Sequence, residues 1–341
     1  MTFASVAEFT PGGITKSNFG VFQKEDKLST SKCRRIQMEI KAIFTTVVPY
    51  ITTIAFLTEN SFWLKSVRPE LLQKVELDST NIKALTSINL KVIGMAVNSL
   101  GDLIVATENS GRLKQITASS VELTDTNFCV EPAEIRSVHV TRNDTVIVGT
   151  RLNLGLNSIV VLNKNGRQEA VYQHDSRENP LFIDPLSIAT TSTGNICVLD
   201  VASDDYRGRL LVLNRKGDLI NIYKGNDDSD VLFKPINMAT SLSDNIILLQ
   251  NNPPHYTLHI LHNDGHLMAV CDTVDFGILS PHSLAFSKDG KLFIGCWSPK
   301  GKTAEAKMYE LQDKNGKFHK KLPFKGNNSY KESSDNFRLI Q

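Results

Sequence analysis

No two cysteines in the sequence sit close enough to hold a structural zinc. Cys33, Cys129, Cys197, Cys271 and Cys296 are scattered, and a zinc knuckle or ribbon needs pairs spaced by roughly two to four residues. Cys197 and Cys296 fall inside apolar runs and read as small core residues. A long hydrophobic run is missing too. A long uncharged stretch, Ala42 to Thr58, is 17 residues with Pro49 and five threonines, short of the ~20 apolar residues of a membrane span, and reads as two strands. The start, Met1 to Phe9, carries Glu8 and lacks an apolar signal segment. A cytoplasmic chain without a membrane partner is expected, in which the sequons at Asn143 and Asn327 have no role. Charge of one sign is also lacking: 38 basic residues face 36 acidic ones, for a net charge of +2. That argues against a dedicated nucleic-acid domain, although not against a local basic patch. There are no heptads for a coiled coil, and no Gly-x-Ser-x-Gly elbow to mark a serine hydrolase.

What is present is repetition, and 41% hydrophobic residues to build a core. The clearest unit runs from Asp184 to Gly225. Pro185–Thr191 alternates apolar with small or polar residues, the period-2 pattern of a strand. A turn at Thr193-Gly194-Asn195 leads into the apolar run Ile196-Cys197-Val198-Leu199, which suits a strand covered on both faces. After a polar loop come Arg209–Leu213, a turn at Asn214–Gly217, and the alternating Asp218–Tyr223. Four strands in about 40 residues is the size of one propeller blade.

First-hairpin turns recur at Glu59-Asn60, Gly101-Asp102, Asn143-Asp144, Gly194-Asn195, Asp244-Asn245 and Asp289-Gly290, 42 to 51 residues apart. Each lies between an alternating segment and an apolar one. The pattern predicts an all-β, six-bladed β-propeller of the NHL/TolB-like kind with four-stranded antiparallel blades, spanning residues 36–324. Residues 1–35 read as a linker and 325–341 as a polar flexible tail. Ile36 to Val48 has strand character but no blade of its own. A ring must close to remove its sheet edges, so this strand is expected to join the last blade beside Leu284–Ser287, Lys291–Cys296 and Lys307–Leu311.

The segment Val198-Leu199-Asp200, Arg209, Leu210–Leu213 and Gly217 is similar to the NHL repeat. More closely, Phe9-Thr10-Pro11-Gly12, Ser187–Gly217, Thr257–Leu261 and Pro281–Ala306 resemble the C-terminal NHL-like propeller of tripartite-motif-like proteins, a group expanded in invertebrates. Leu292–Trp297 and Gly301–Lys307 carry the most specific part of that likeness. The resemblance implies a non-enzymatic, partner-recruiting module of the ubiquitin-ligase type. The chain departs from the family in having no RING, B-box or coiled-coil signature, so ligase activity would have to come from elsewhere.

On this reading no catalytic residue, cofactor or metal site is expected, and the chain is taken as a monomer that binds protein partners. Loops after the second strands share one face with the connections between blades, and the later ones are long. Arg151, Tyr206, Arg207, His255, Tyr256, Trp297, Lys300 and Lys302 form the candidate rim, because Trp, Tyr and Arg dominate interface energetics. Two other readings use the same face. An RNA-binding propeller would stack bases on the aromatics and hold phosphates with the cations, against repulsion from Asp204, Asp205, Asp227, Asp228 and Asp230. A calcium-dependent propeller hydrolase would need several converging oxygen ligands, and the ends of the second strands offer only Glu108, Asp200 and Asn251. Asp200 reads as a carboxylate that caps a loop.

Overall fold

The structure, a computed structural model, describes residues 38–313 apart from 79–80, 153–155, 202–206, 227–230 and 299–305. The linker expected over 1–35, the tail over 325–341, Cys33 and the candidate residues Tyr206, Lys300 and Lys302 lie outside the described residues. The protein is all-β. The one helical element among the described residues is a 3-10 turn at Thr273–Phe276.

Four sheets have four antiparallel strands each, in chain order. They are β6 (Val92–Val97), β7 (Leu103–Thr107), β8 (Arg112–Ile116) and β9 (Leu123–Cys129); β10 (Glu134–Val140), β11 (Val146–Arg151), β12 (Ser158–Leu162) and β13 (Gln168–Tyr172); β14 (Pro185–Thr190), β15 (Ile196–Val201), β16 (Gly208–Leu213) and β17 (Leu219–Tyr223); and β18 (Pro235–Thr240), β19 (Ile246–Asn252), β20 (His255–Leu261) and β21 (Leu267–Asp272). An eight-stranded sheet holds the rest. One half is β2 (Thr53–Phe56), β3 (Ser61–Val67), β4 (Glu70–Asp78) and β5 (Asn81–Ile88). The other is β22 (Pro281–Phe286), β23 (Leu292–Cys296), β24 (Lys307–Asp313) and β1 (Met38–Thr45). Among the described residues, the strand pairing that joins the halves into one sheet is the parallel pair Thr45 and Asn81.

The strand expected over Ile36 to Val48 thus forms as β1, and it pairs antiparallel with β24 from Met38–Asp313 to Thr45–Lys307. The first strands β2, β6, β10, β14, β18 and β22 each contact the next, and β22 returns to β2. Hydrophobic clusters fill the spaces between neighbouring sheets. Leu249 and Ile260 pack with Leu284 and Ile294, and Leu199 and Val212 with Met238 and Leu248. Second strands are buried on both faces, as in β15, where every residue is buried. Each fully buried Leu or Ile contributes ~1.5–3 kcal/mol, which is why these runs are continuously apolar. Cys197 and Cys296 are buried in them as expected, and burial pushes both thiols up to about 12.

The turns explain the periodicity seen in the sequence. In five first hairpins the residue two before the second strand has a positive φ: Gly101, Asp144, Gly194, Asp244 and Gly290. Glycine accepts that left-handed conformation without a steric cost, and aspartate tolerates it better than most residues. The same geometry returns between third and fourth strands at Gly166, Gly217 and Gly265.

Candidate functional site

The ends of the second strands and the connections between blades are hydrogen-bonded to one another, so they form one face. Val201 N donates to Asp184 O, Gly208 N to Phe233 O, Asn251 N to Lys234 O and Trp297 N to Ser280 O. At this end five first strands carry a register shift against their second strands, after Val92, Ile135, Pro185, Pro235 and Pro281. A bulge leaves one residue unpaired and re-aims its side chain. The residues so placed are Ile93, Arg136, Leu186, Ile236 and His282.

Two of the polar groups on this face are structural. Asp200 is buried, and its Oδ1 accepts the backbone N–H of Ile183 and of Asp184, each at 2.8 Å. Its Oδ2 accepts Arg209 Nε at 2.9 Å, and Arg209 also donates to Leu181 O at 2.7 Å. Burial raises the Asp200 pKa, opposed by Arg209 and the two N–H groups. The loop-capping role expected for it is what the geometry shows. Arg136 makes a two-pronged contact with Asp184, 3.0 Å on each arm, and this tie raises its pKa.

Calcium does not fit this donor set. Asp200 has both oxygens committed to protein donors and Glu108 is paired with Lys91 at 2.7 Å; that leaves Asn251, whose Oδ1 is buried without a hydrogen-bond partner, and one neutral oxygen falls short of the roughly six to eight that calcium takes. Among the described residues no three His, Cys, Asp or Glu side chains gather as a metal site.

The unusual chemistry lies where the last blade meets the first. Lys65, on β3, donates to Ile93 O at 2.8 Å. Among the described residues no carboxylate is ion-paired with it, and burial lowers its pKa to about 8. His282, at the bulge of β22, has a buried Nδ1 with no hydrogen-bond partner. Burial lowers its pKa, opposed by the residue's own backbone, and the nearby Lys65 charge lowers it further, so the imidazole is neutral at physiological pH. Its ring stands 6.3 Å from that of Trp297, which in turn meets Tyr50 edge-on at 6.0 Å. A desolvated amine beside a neutral imidazole is a pairing that functional sites concentrate. The seam behind it is rigid: Ser283 Oγ donates to Ile51 O at 3.0 Å, Ile51 N to Cys296 O at 3.2 Å and Ser298 N to Pro49 O at 2.8 Å.

The rim expected from the sequence assembles only in part. Arg151 is exposed and held to Glu134 at 3.1 Å. His255 is exposed, with Nδ1 3.5 Å from Asp272, and Arg207 is exposed. Trp297 is half-exposed, but it belongs to the cluster with His282. Tyr256 is a correction: it is buried. The loop expected over Gln250–Tyr256 is a tight hairpin instead, with β20 starting at His255, and strand alternation turns Tyr256 inward opposite Asn251. An inward tyrosine anchors neither a protein partner nor a stacked base. Lys65 was visible in the sequence as a basic residue near the end of a second strand. Its burial was not, because that depends on the adjacent blade.

No protein-family model matches the sequence, and no curated protein matches it. Solved structures do match. The aldose sugar dehydrogenase of Streptomyces coelicolor aligns over 82% of this chain and 99% of its own, at 12% identity and a TM-score of 0.56. A putative gluconolactonase aligns over 81% and 89%, at 14% identity and a TM-score of 0.53. Virginiamycin B lyase from Staphylococcus aureus aligns over 81% and 99%, at 13% identity and a TM-score of 0.51. At these identities the likeness establishes the fold.

The expectation of a non-enzymatic, ligase-associated recruiting module is corrected by these matches, which are propellers named for dehydrogenase, lactonase and lyase chemistry. Nothing links the chain to tripartite-motif proteins. Among the described residues that carried that resemblance, Asp200 and Arg209 hold the connection before β14, and Leu292–Cys296 is a strand buried throughout. The chain has the fold of a β-propeller.

Proposed function

We propose that this chain is a six-bladed propeller enzyme that performs metal-independent acid–base chemistry on a carbonyl compound of the lactone or ester class. The count of six follows from dividing the eight-stranded sheet into its two halves, β2–β5 and β22–β24 with β1. The observation that carries the activity is the unpartnered, buried Nδ1 of His282 next to Lys65. A buried polar atom without a partner costs about 1–3 kcal/mol, and a partly desolvated cation without a counter-charge adds to that cost. A fold keeps both together where substrate completes the contacts.

In this reading His282 is the general base and Lys65 the cation that meets the carbonyl oxygen. His282 takes a proton from water as the water oxygen bonds to the carbonyl carbon, and Lys65 holds the oxyanion that forms. The ring C–O bond then breaks, and the proton passes from His282 to the alkoxide. Trp297, tilted beside the imidazole with ring centres 6.3 Å apart, is the ring that substrate meets.

A panel of γ- and δ-lactones and aryl esters, assayed with and without chelator, tests this. Hydrolysis is expected, unchanged by chelator. Removing a general base typically costs 10²- to 10⁴-fold, so H282Q should lose about that much in kcat while its melting temperature stays near that of the parent. Absence of turnover across the panel, or full activity in H282Q, would overturn the assignment.

A further inference from the structure

The backbone ties Lys65 and His282 together. Lys65 O accepts Thr52 N at 2.9 Å and Thr52 Oγ1 at 3.1 Å. One residue back, Ile51 O accepts the hydroxyl of Ser283, the neighbour of His282, at 3.0 Å. The residues leading into β2 therefore join the strand of Lys65 to the bulge of the last blade. From there the Lys65 side chain crosses to the next blade, where Nζ donates to Ile93 O at 2.8 Å. A carbonyl oxygen accepts from a neutral amine as well as from an ammonium, so this contact positions Nζ without fixing its charge. A carboxylate would fix it, and among the described residues none is ion-paired with Lys65. Lys91 shows the contrast: it is paired with Glu108 at 2.7 Å and Glu70 at 3.6 Å, and the Glu108 hydrogen bond leads in raising its pKa. Lys65 is half-buried, and with a pKa of about 8 roughly a quarter of it is free amine at pH 7.5. Desolvation of this kind is what makes a lysine nucleophilic.

We infer that Lys65 is a covalent site for aldehydes, its Nζ forming an imine while His282 carries the protons. The Nζ lone pair bonds to the carbonyl carbon, and the C=O π pair moves to oxygen. Nζ loses two protons in turn, and the unpartnered Nδ1 of His282 accepts each and returns it to that oxygen. The C–O bond breaks, water leaves and a C=N bond remains. The step is redox-neutral and needs no co-reactant. It uses two side chains of the hydrolysis proposed above but does not rest on that reading, because here the lysine is the nucleophile and not a counter-charge.

Reductive trapping tests this without any catalysis. The full chain is incubated with propanal and sodium cyanoborohydride at pH 7.5, and peptide mass mapping follows the reduced propyl adduct at each lysine. Lys65 should be labelled roughly tenfold faster than Lys91, because its lower pKa leaves far more free amine. K65R keeps the charge but cannot form the imine, so it should lose the fast adduct and retain the slow ones. H282Q should keep the parent's melting temperature and label Lys65 more slowly, by at least about tenfold, with Lys91 unchanged. Labelling of Lys65 no faster than Lys91, a fast adduct that persists in K65R, or undiminished labelling of Lys65 in H282Q would each overturn the inference. Trapping at Lys65 with no turnover of any lactone or ester would leave the imine site standing and remove the hydrolase. Turnover without trapping would do the reverse.

Discussion

Asp244 reaches back across a blade boundary to Ser192: its carboxylate accepts the Ser192 backbone N–H at 2.6 Å and the Ser192 hydroxyl at 2.5 Å. Asp244 does this from a left-handed backbone, φ 66°. The arrangement repeats one blade pair earlier, where Asp144, φ 59°, accepts Ser99 N at 2.8 Å and Ser99 Oγ at 2.5 Å. The equivalent turn residue in the alternate blades is Gly101, Gly194 or Gly290. The left-handed aspartate therefore spans to its neighbour, and the strain is offset by two charge-assisted hydrogen bonds.

Asp244→Ala should lose both hydrogen bonds and keep the strained backbone, destabilising the protein by roughly 2–4 kcal/mol in urea unfolding. Asp244→Gly removes the strain as well and should cost less. Equal losses in the two variants would mean the backbone conformation contributes nothing.

The pairing of β1 with β24 makes the N-terminal strand part of the last blade. A chain lacking residues 1–48 should expose the β24 edge, and unpaired edges template aggregation. Size-exclusion chromatography and a thermal melt are expected to show oligomers or a large fall in melting temperature. A monomer as stable as the full chain would show that closure does not need β1.

Lys65 burdens the fold. Its pKa is about 8 in the folded protein against about 10.4 unfolded, so between those values the unfolded chain binds more protons. Stability should rise with pH across that window, as the folded state sheds the buried charge first. Lys65→Met should be more stable than the parent at pH 7 by roughly 1–3 kcal/mol, with the pH 8 to 10.4 slope reduced. Denaturant titrations at pH 7, 9 and 10.5 measure both effects, and the same variant should lose activity.

His259 works in the opposite pH range. It is buried between Tyr223 and Thr257, with Nδ1 2.6 Å from Tyr223 Oη and Nε2 3.0 Å from Thr257 Oγ1. Burial lowers its pKa to about 4. The unfolded chain takes up a proton near pH 6.5, so the stability present above 6.5 is lost as pH falls towards 4. His259→Gln should show a shallower acid slope in melting temperature between pH 6.5 and 4.5, whatever its stability at neutral pH.

Strand order, hairpin turns and the closing strand were legible in the sequence because each is a local matter. Gly101, Gly194 and Gly290 announce turns through their own backbone freedom, and Ile196–Leu199 announces a two-sided strand through its unbroken apolarity. Ile36–Val48 could be assigned to the last blade because a strand outside the repeat has one edge left to join. The inward turn of Tyr256 was not legible, since it depended on β20 starting two residues earlier than the loop pattern implied.

The candidate site was decided by the tertiary structure alone. His282 and Trp297 belong to one blade, but Lys65 comes from another, on a strand near the other end of the chain. In isolation each reads as an ordinary solvated residue. Lys65 becomes unusual only when Ile93 of the next blade comes over it, and His282 only when a bulge turns it towards Trp297 and the ring closes beside Lys65. Local residues specify the blade, because periodicity and turn propensity act over a few residues. The chemistry depends on desolvation, and only the packing of one blade against another removes the water.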